Sequence, residues 1–454
     1  MKRLLLAGLV ALVANGRVSA AEASSVSASV RLITLDPGHF HASLVQKYMY
    51  DGVDATVHVY APAGDDLQEH LKRIERFNTR AEQPTRWQEK VYSKDDFLER
   101  MLAEKAGNLV VISGNNTRKT DYILKAVQAG FHVLADKPMA ITPADFEKLK
   151  LAFTIAASNH VLLYDIMTER FEINSALQRA FSQQPGLFGR LVDGTLEEPA
   201  ITKESVHHFS KLVAGAPLKR PPWFFDVRQE GEGLVDLATH LVDLVQWEAF
   251  PEQILRPSEV SVHRARRWAT PITAGQFYKV TGALDFPEFL KPDVKDGVLQ
   301  VFCNGEMRYS LRGVHAKVSV TWNFEAPPGT GDTHFSIMRG SLANLIIRQG
   351  AEQNFKPALY VENVGHKTEP AFAAALRRAV EQVQSQHPGI TVSKEGKDWR
   401  ISVPEKYDVG HESHFAQVTE KFLRYLREGK LPPWEQANMI TKYATIMRAY
   451  EISR

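Results

Sequence analysis

Apolar and β-branched residues run almost unbroken through Val30-Arg-Leu-Ile-Thr-Leu35 to Asp36-Pro37-Gly38, the pattern of a strand buried on both faces. Helical spacing of apolar positions follows over His39–Tyr50, then a second strand over Ala55–Tyr60. Helical patterns at Asp65–Arg76 and Lys94–Lys105 lead to strand Leu109–Ser113, and Thr117–Ala129 reads as a helix closed by Gly130 at its C′ position. Strand Phe131–Ala135, helix Pro143–Ala157 and strand His160–Tyr164 complete the series. Strands alternating with helices at this interval predict βαβ units, and so a doubly wound parallel sheet covered on both faces over residues 29–165.

The period changes after Asp165. A helix at Glu172–Phe181 precedes strand-like runs at Gly189–Leu196, Glu259–Arg266, Phe277–Phe286, Val298–Phe302, Met307–Leu311, Ala316–Asn323, Phe335–Gly340, Ala343–Gln349 and Ala358–Glu362. A long helix over Leu234–Trp247 interrupts them, and two more are expected at His414–Arg427 and Glu435–Glu451. Many short strands without interleaved helices predict a second, α+β domain over 166–454, built on a large, open, mainly antiparallel sheet.

Composition narrows the class. With 454 residues, 44% apolar and 24% charged, the chain has ordinary globular proportions and length enough for two or more domains. Its formal charge of +2 includes Lys2, Arg3 and Arg17, all in an N-terminal segment that resembles an export signal. Lys2 and Arg3 precede an apolar run, Leu4–Ala14, too short for the roughly twenty residues of a membrane span, and the small residues Val18-Ser19-Ala20 follow. Residues 1–20 are therefore expected to be a signal peptide cleaved near Ala20, delivering a periplasmic or secreted protein with no membrane attachment. Without that segment the chain is close to neutral, which disfavours a nucleic-acid partner. The lone Cys303 can form no internal disulfide.

Candidate chemistry lies at two places. In Asp236-x-x-x-His240 the i, i+4 spacing projects both side chains from one helix face; histidine supplies a base near neutrality, and Asp236 can orient it or bind a substrate hydroxyl. Lys137 stands at a strand's carboxyl end, where open parallel sheets hold ligands, with Pro138 keeping the chain extended. The first strand–helix turn, Asp36-Pro37-Gly38-His39-Phe40-His41, carries one of the three glycines of a dinucleotide fingerprint. The second strand has no carboxylate at its tip; Asp65 and Asp66 come a few residues late. His207-His208 has no Cys/His/Asp set at ligand spacing, so no metal is expected. Trp223-Phe224-Phe225 suits either stacking on a sugar ring or burial at a domain interface.

Gly130-Phe-His-Val-Leu-Ala-Asp136-Lys137-Pro138 resembles the signature of the Gfo/Idh/MocA oxidoreductases, with Asp136 in place of the usual glutamate. Val110-Val-Ile-Ser113-Gly114-Asn115 stands where that family has a Thr-Pro-Asn turn, and Gly231-Glu-Gly233-Leu-Val-Asp236-Leu-Ala-Thr-His240 resembles its glycine-led helix start. Arg264-Ala-Arg-Arg-Trp268 is similar to a segment of a secreted branch. The resemblance implies a Rossmann-type first domain binding NAD or NADP, NAD favoured, near Asp36, Gly38, His39, Phe40, Ser113, Asn115, Asp136 and Lys137. It also implies catalysis by Lys137, Asp236 and His240, an arginine (Arg170) near the cleft, and room for a homo-oligomer. Trp223 and His207 are further candidate contacts to a sugar or glycoside whose secondary hydroxyl would be oxidised. Export, away from free cofactor, then calls for tight cofactor retention. Two alternatives stay open. An NAD-dependent glycoside hydrolase, working by transient C3 oxidation and elimination, would need a further acid or base from Tyr164, His207 or His208. A sugar-binding protein without catalysis would account for the sparse glycines of the first turn.

Overall fold

The computed structural model describes residues 29–213, 216–365 and 367–454; the expected signal peptide, its cleavage point at Ala20 and the linker to Ala28 lie outside the described residues. The first domain runs β1 (Leu32–Leu35), α1 (His41–Leu44), β2 (Thr56–Tyr60), α2 (Asp65–Thr79), β3 (Gln88–Tyr92), α3 (Phe97–Glu104), β4 (Leu109–Ile112), α4 (Lys119–Gln128), β5 (His132–Asp136), α5 (Pro143–Ser158) and β6 (Leu163–Ile166). Its six strands are all parallel in the order β3-β2-β1-β4-β5-β6. Every residue of β1, β4 and β6 is buried, as expected of strands covered by helices on both faces. Register sets the site: Leu35 lies opposite Ile112, Ile112 opposite Ala135, and Ala135 opposite Asp165. The chain therefore leaves β1, β4 and β5 at one level, across the point where strand order reverses and ligands of such sheets bind.

The second domain contains α6 (Ile173–Ser182), β7 (Ile201–Ser210), α7 (Ala238–Ala249), α8 (Ala274–Thr281), α9 (Glu369–Val383), α10 (His411–Glu428) and α11 (Pro433–Ile452). Its large sheet has ten strands, with β7 near the middle, pairing parallel to Val314–Glu325 on one side and antiparallel to Thr333–Arg339 on the other. The remaining neighbours are antiparallel, including the long pair Val260–Thr273 and Val298–Leu311. Helices α10 and α11 return to the first domain. Lys442 Nζ pairs with Asp165 at 2.6 Å and Asp243 at 2.9 Å, and the Tyr443 hydroxyl accepts the Met139 N–H at 2.9 Å.

Several local expectations are corrected. The helix expected over His39–Tyr50 is only α1, because the Gln46 and Lys47 carbonyls are taken by Trp87 Nε1 (2.7 Å) and Arg80 Nη2 (2.6 Å). The run Gly189–Leu196 makes isolated bridges at Leu191 and Gly194 rather than a strand. Phe277–Phe286 is not a strand, since Thr273 caps α8 reciprocally with Gln276 and the chain enters a helix. Strand β7, helix α9 and the hairpin Thr391–Glu395/Asp398–Ser402 arise from stretches to which the pattern assigned no element.

Candidate active site

The carboxyl end of β5 presents Asp136 and Lys137 side by side, and the second domain answers with Asp236 and His240. Regular helix α7 begins only at Ala238, so Asp236 lies in the turn before it, where its N–H bonds the Glu232 carbonyl at 2.8 Å, while His240 is in the first helical turn. Gly233 lets this turn pass strand Val298–Leu311: a Cβ there would sit 2.0 Å from the Cys303 carbonyl oxygen.

Lys137 Nζ donates to Asp236 Oδ1, and both side chains are buried. Burial alone would lower the Lys137 pKa, but the carboxylates of Asp236, Asp136 and Glu230 outweigh it and the ammonium form is favoured. His240 moves the other way. Burial first, then the positive charge of Lys137, push its pKa down to about 3. Its Nδ1 is buried without a hydrogen-bond partner among the described residues. The base expected near neutrality is thus a neutral imidazole throughout the physiological range.

Two hollows meet at this cluster. One, of about 190 Å³ counting space open to solvent, is lined by His39, Asn116, Lys119, Asp136, Lys137 and Glu230 among others; the other, of about 270 Å³ counted the same way, by Phe209, Phe224, Trp322, Cys303, Glu230 and Asp236 among others. Glu230 borders both. Its nearest donor is Asn116 Nδ2, at 3.5 Å, and burial followed by the neighbouring Asp236 hold its carboxyl well above the usual range. Two carboxyl groups in adjoining positions, one bonded to an ammonium and one without a bonded cation, form the kind of pair that divides acid and base roles.

The first turn lies at the far side of the smaller hollow. At Gly38 a Cβ would stand only 2.9 Å from Asp66 Oδ2 and 3.4 Å from both the Asn115 nitrogen and the Trp223 ring, so glycine lets these groups close on the turn. Among the described residues the Asn115 N–H has no protein acceptor. The bare backbone at Gly38 and the free Asn115 N–H suit a pyrophosphate, and Asp66, bonded at 3.0 Å by Trp223 Nε1, is the carboxylate that would face a ribose hydroxyl. Asp66, from the first turn of α2, supplies the acid that the tip of β2 lacks. The other expected contacts are there but largely engaged. The Asp36 carboxylate accepts the Tyr122 hydroxyl at 2.8 Å, Ser113 Oγ donates to Asp136 Oδ2 at 2.9 Å, and Asn115 Nδ2 donates to Gln229 Oε1 at 2.6 Å. His39 and Phe40 flank the turn, with their rings 4.7 Å apart.

The three expected substrate contacts are all engaged within the protein. Arg170 is buried against Asp243 (2.6 Å) and Glu435 (3.0 Å), and its charge is spent on tying α7 and α11 together within the second domain. Trp223 donates to Asp66 Oδ2 at 3.0 Å, so it covers the first turn instead of the aromatic hollow. His207 is bonded to Asp332 at 3.0 Å and lies against Trp322, which lines that hollow. Of the spare acids or bases, Tyr164 is buried at 3.1 Å from Glu435 and His208 shares Asp332. Sequence reasoning missed Glu230, Lys119 and the role of Asp66; only Asp66 left a signal, as a carboxylate displaced from the strand tip.

Residues 177–454 match the family model described as "Putative oxidoreductase C terminal domain", and residues 55–164 match "Oxidoreductase family, NAD-binding Rossmann fold". The crystal structure of a "putative oxidoreductase" from Parabacteroides merdae is 54% identical, with 94% of this chain and 98% of that one covered and a TM-score of 0.92. Levoglucosan dehydrogenase in complex with NADH and levoglucosan is 14% identical, with coverage of 93% and 97% and a TM-score of 0.58. A variant 3-ketoreductase from Actinomadura kijaniata in complex with NADP is 13% identical, with coverage of 94% and 98% and a TM-score of 0.55. At those identities the last two share the fold. No curated protein matches the chain.

Proposed function

This chain belongs to the Gfo/Idh/MocA oxidoreductases, with an NAD(P)-binding Rossmann domain, and from that premise we propose that it oxidises a secondary hydroxyl of a sugar or glycoside, or reduces the matching ketone. The observation that carries this reading is the convergence of Lys137, Asp236 and His240 at the strand edge where the dinucleotide domain holds its ligand. The dinucleotide, when bound, accepts or returns the hydride. The protein handles the proton. Lys137 Nζ donates to the reacting oxygen and lowers the cost of alkoxide charge, the neutral His240 imidazole accepts the hydroxyl proton, and Asp236 holds Lys137 in place. Phe209, Phe224 and Trp322 offer apolar faces to a sugar ring in the larger hollow. The levoglucosan dehydrogenase and ketoreductase relatives support the substrate class.

The signal-like N-terminus supports export, and export implies that the cofactor stays bound and is cycled within the site by substrate and product. Mass spectrometry of protein purified from the periplasm tests this: co-purifying dinucleotide is expected, and rapid loss of all dinucleotide on dilution would contradict it. A second reading, cleavage of a glycoside through transient C3 oxidation, is favoured by Glu230, a carboxyl group without a bonded cation that faces both hollows. An aryl glycoside separates the two, since release of phenol without net NADH means cleavage and accumulation of a ketoglycoside means dehydrogenation.

A further inference from the structure

We propose that His39, His41 and Asp136 form a binding site for one divalent transition-metal cation of zinc-like ligand preference, with an open coordination position facing the hollow beside Lys137. The three side chains come from two places 95 residues apart in the chain, the turn after β1 and the end of β5, and each offers one ligand atom within 4.8 Å of the other two. Asp136 Oδ2 is the focus, with His41 Nδ1 at 2.9 Å and His39 Nδ1 at 3.7 Å. Two imidazoles and a carboxylate, with a further position left for water or substrate, form the donor set of catalytic rather than structural zinc-type sites.

Two features go beyond proximity. The backbone N–H of His41 lies 3.4 Å from His39 Nδ1, which marks this nitrogen as unprotonated, and a metal would take its single lone pair in place of that long hydrogen bond. An unprotonated nitrogen facing a carboxylate oxygen in a buried place is unfavourable, and a cation between them removes the conflict. The two neighbouring ammonium groups are bonded elsewhere: Lys137 Nζ donates to Asp236, and Lys119 Nζ donates to the main-chain carbonyls of Asp136 (3.1 Å) and Lys137 (3.4 Å). The ligands are also held from behind. Ser113 Oγ fixes Asp136 Oδ2 at 2.9 Å, and the His41 ring packs 4.5 Å from that of Phe415 on α10, the supporting contacts that metal sites use to orient their ligands.

The site shares His39 and Asp136 with the expected dinucleotide contacts, but metal binding is read without activity, so either reading can fail alone. Chelator-stripped, tag-free full-length protein is titrated with Zn²⁺ by calorimetry and with Co²⁺ by visible absorption. One equivalent should bind at micromolar concentration or below, raise the melting temperature, and give Co²⁺ d–d bands without thiolate charge transfer. His41→Ala and Asp136→Asn should each weaken binding by about a hundredfold or more, while His263→Ala, at the exposed His263–His315 pair, should not change it. No binding at micromolar Zn²⁺, or binding unaltered in the doubly substituted His39→Ala/His41→Ala protein, overturns the assignment and leaves a hydrogen-bonded His–Asp pair. Should those variants fail to fold, anomalous scattering at the zinc edge from native crystals decides it. A peak between the three ligands supports the site, and a peak elsewhere or none refutes it.

Discussion

Lys137 and Glu230 line one hollow, the Lys137 charge reaches His240, and the three are driven apart in proton affinity by their neighbours. Replacing Lys137 or His240 with Ala should slow turnover by about 10²–10⁴-fold while dinucleotide affinity stays within a few-fold, as fluorescence titration will report. The pH profile follows from the sign of the His240 shift. An exposed imidazole loses its base form as pH falls through about 6.5, but His240, held at about 3 by burial and then by Lys137, keeps its base form down to that value. The acid limb of kcat/KM should therefore show no inflection near 6.5 from this residue, and Lys137→Met, which removes the positive neighbour, should move the limb upward. Glu230 tests the cleavage reading. In Glu230→Gln, release of phenol from an aryl glycoside should fall by roughly 10²-fold or more, with ketone formation retained; equal loss of both would make Glu230 part of the oxidation itself.

At the scale of elements, the three parallel strand ends set the site and the turn before α7 completes it. That turn depends on the missing side chain at Gly233, because a methyl group there meets main chain that cannot give way. Gly233→Ala should cost several kcal/mol (~3), while Gly275→Ala, in open space on α8, should be neutral or stabilising by about 0.5 kcal/mol; chemical denaturation measures both. The doubly wound sheet and the placing of Lys137, Asp236 and His240 were legible in the sequence, because strand–helix alternation and short motifs are local signals. Strand β7 was not legible. Its residues Thr202, Lys203, Ser205 and His208 are buried polar groups whose partners, such as Glu248 to Lys203 at 2.7 Å, lie far along the chain. Arg170 misled for the same reason: an arginine near a strand end looks like a ligand contact until Asp243 and Glu435 arrive from distant helices. His39, His41 and Asp136 likewise reveal themselves only when β1 and β5 are set two strands apart.

For the whole molecule, the C-terminal helices make two domains into one unit. Glu435 on α11 accepts from Tyr164 of the first domain at 3.1 Å as well as from Arg170 Nη1 (3.0 Å) and Lys421 Nζ (2.9 Å) of the second, and Lys442 joins Asp165 of the first domain to Asp243 of the second. Both domains should unfold in a single transition, and Glu435→Gln, which leaves buried cations uncompensated, should destabilise by roughly 3–5 kcal/mol in denaturant melts. That rigid junction keeps His240 and Asp236 facing Lys137, and on it rests the claim that the protein transfers hydride at this cluster. The most direct measurement uses dinucleotide-loaded enzyme and an aryl glucoside deuterated at its ring C–H positions, with mass spectrometry of the dinucleotide released on denaturation. The wild type should yield reduced dinucleotide heavier by about one mass unit, and Lys137→Ala should yield none. Turnover of the glucoside with no deuterium in the dinucleotide, or label transfer undiminished in Lys137→Ala, would contradict it.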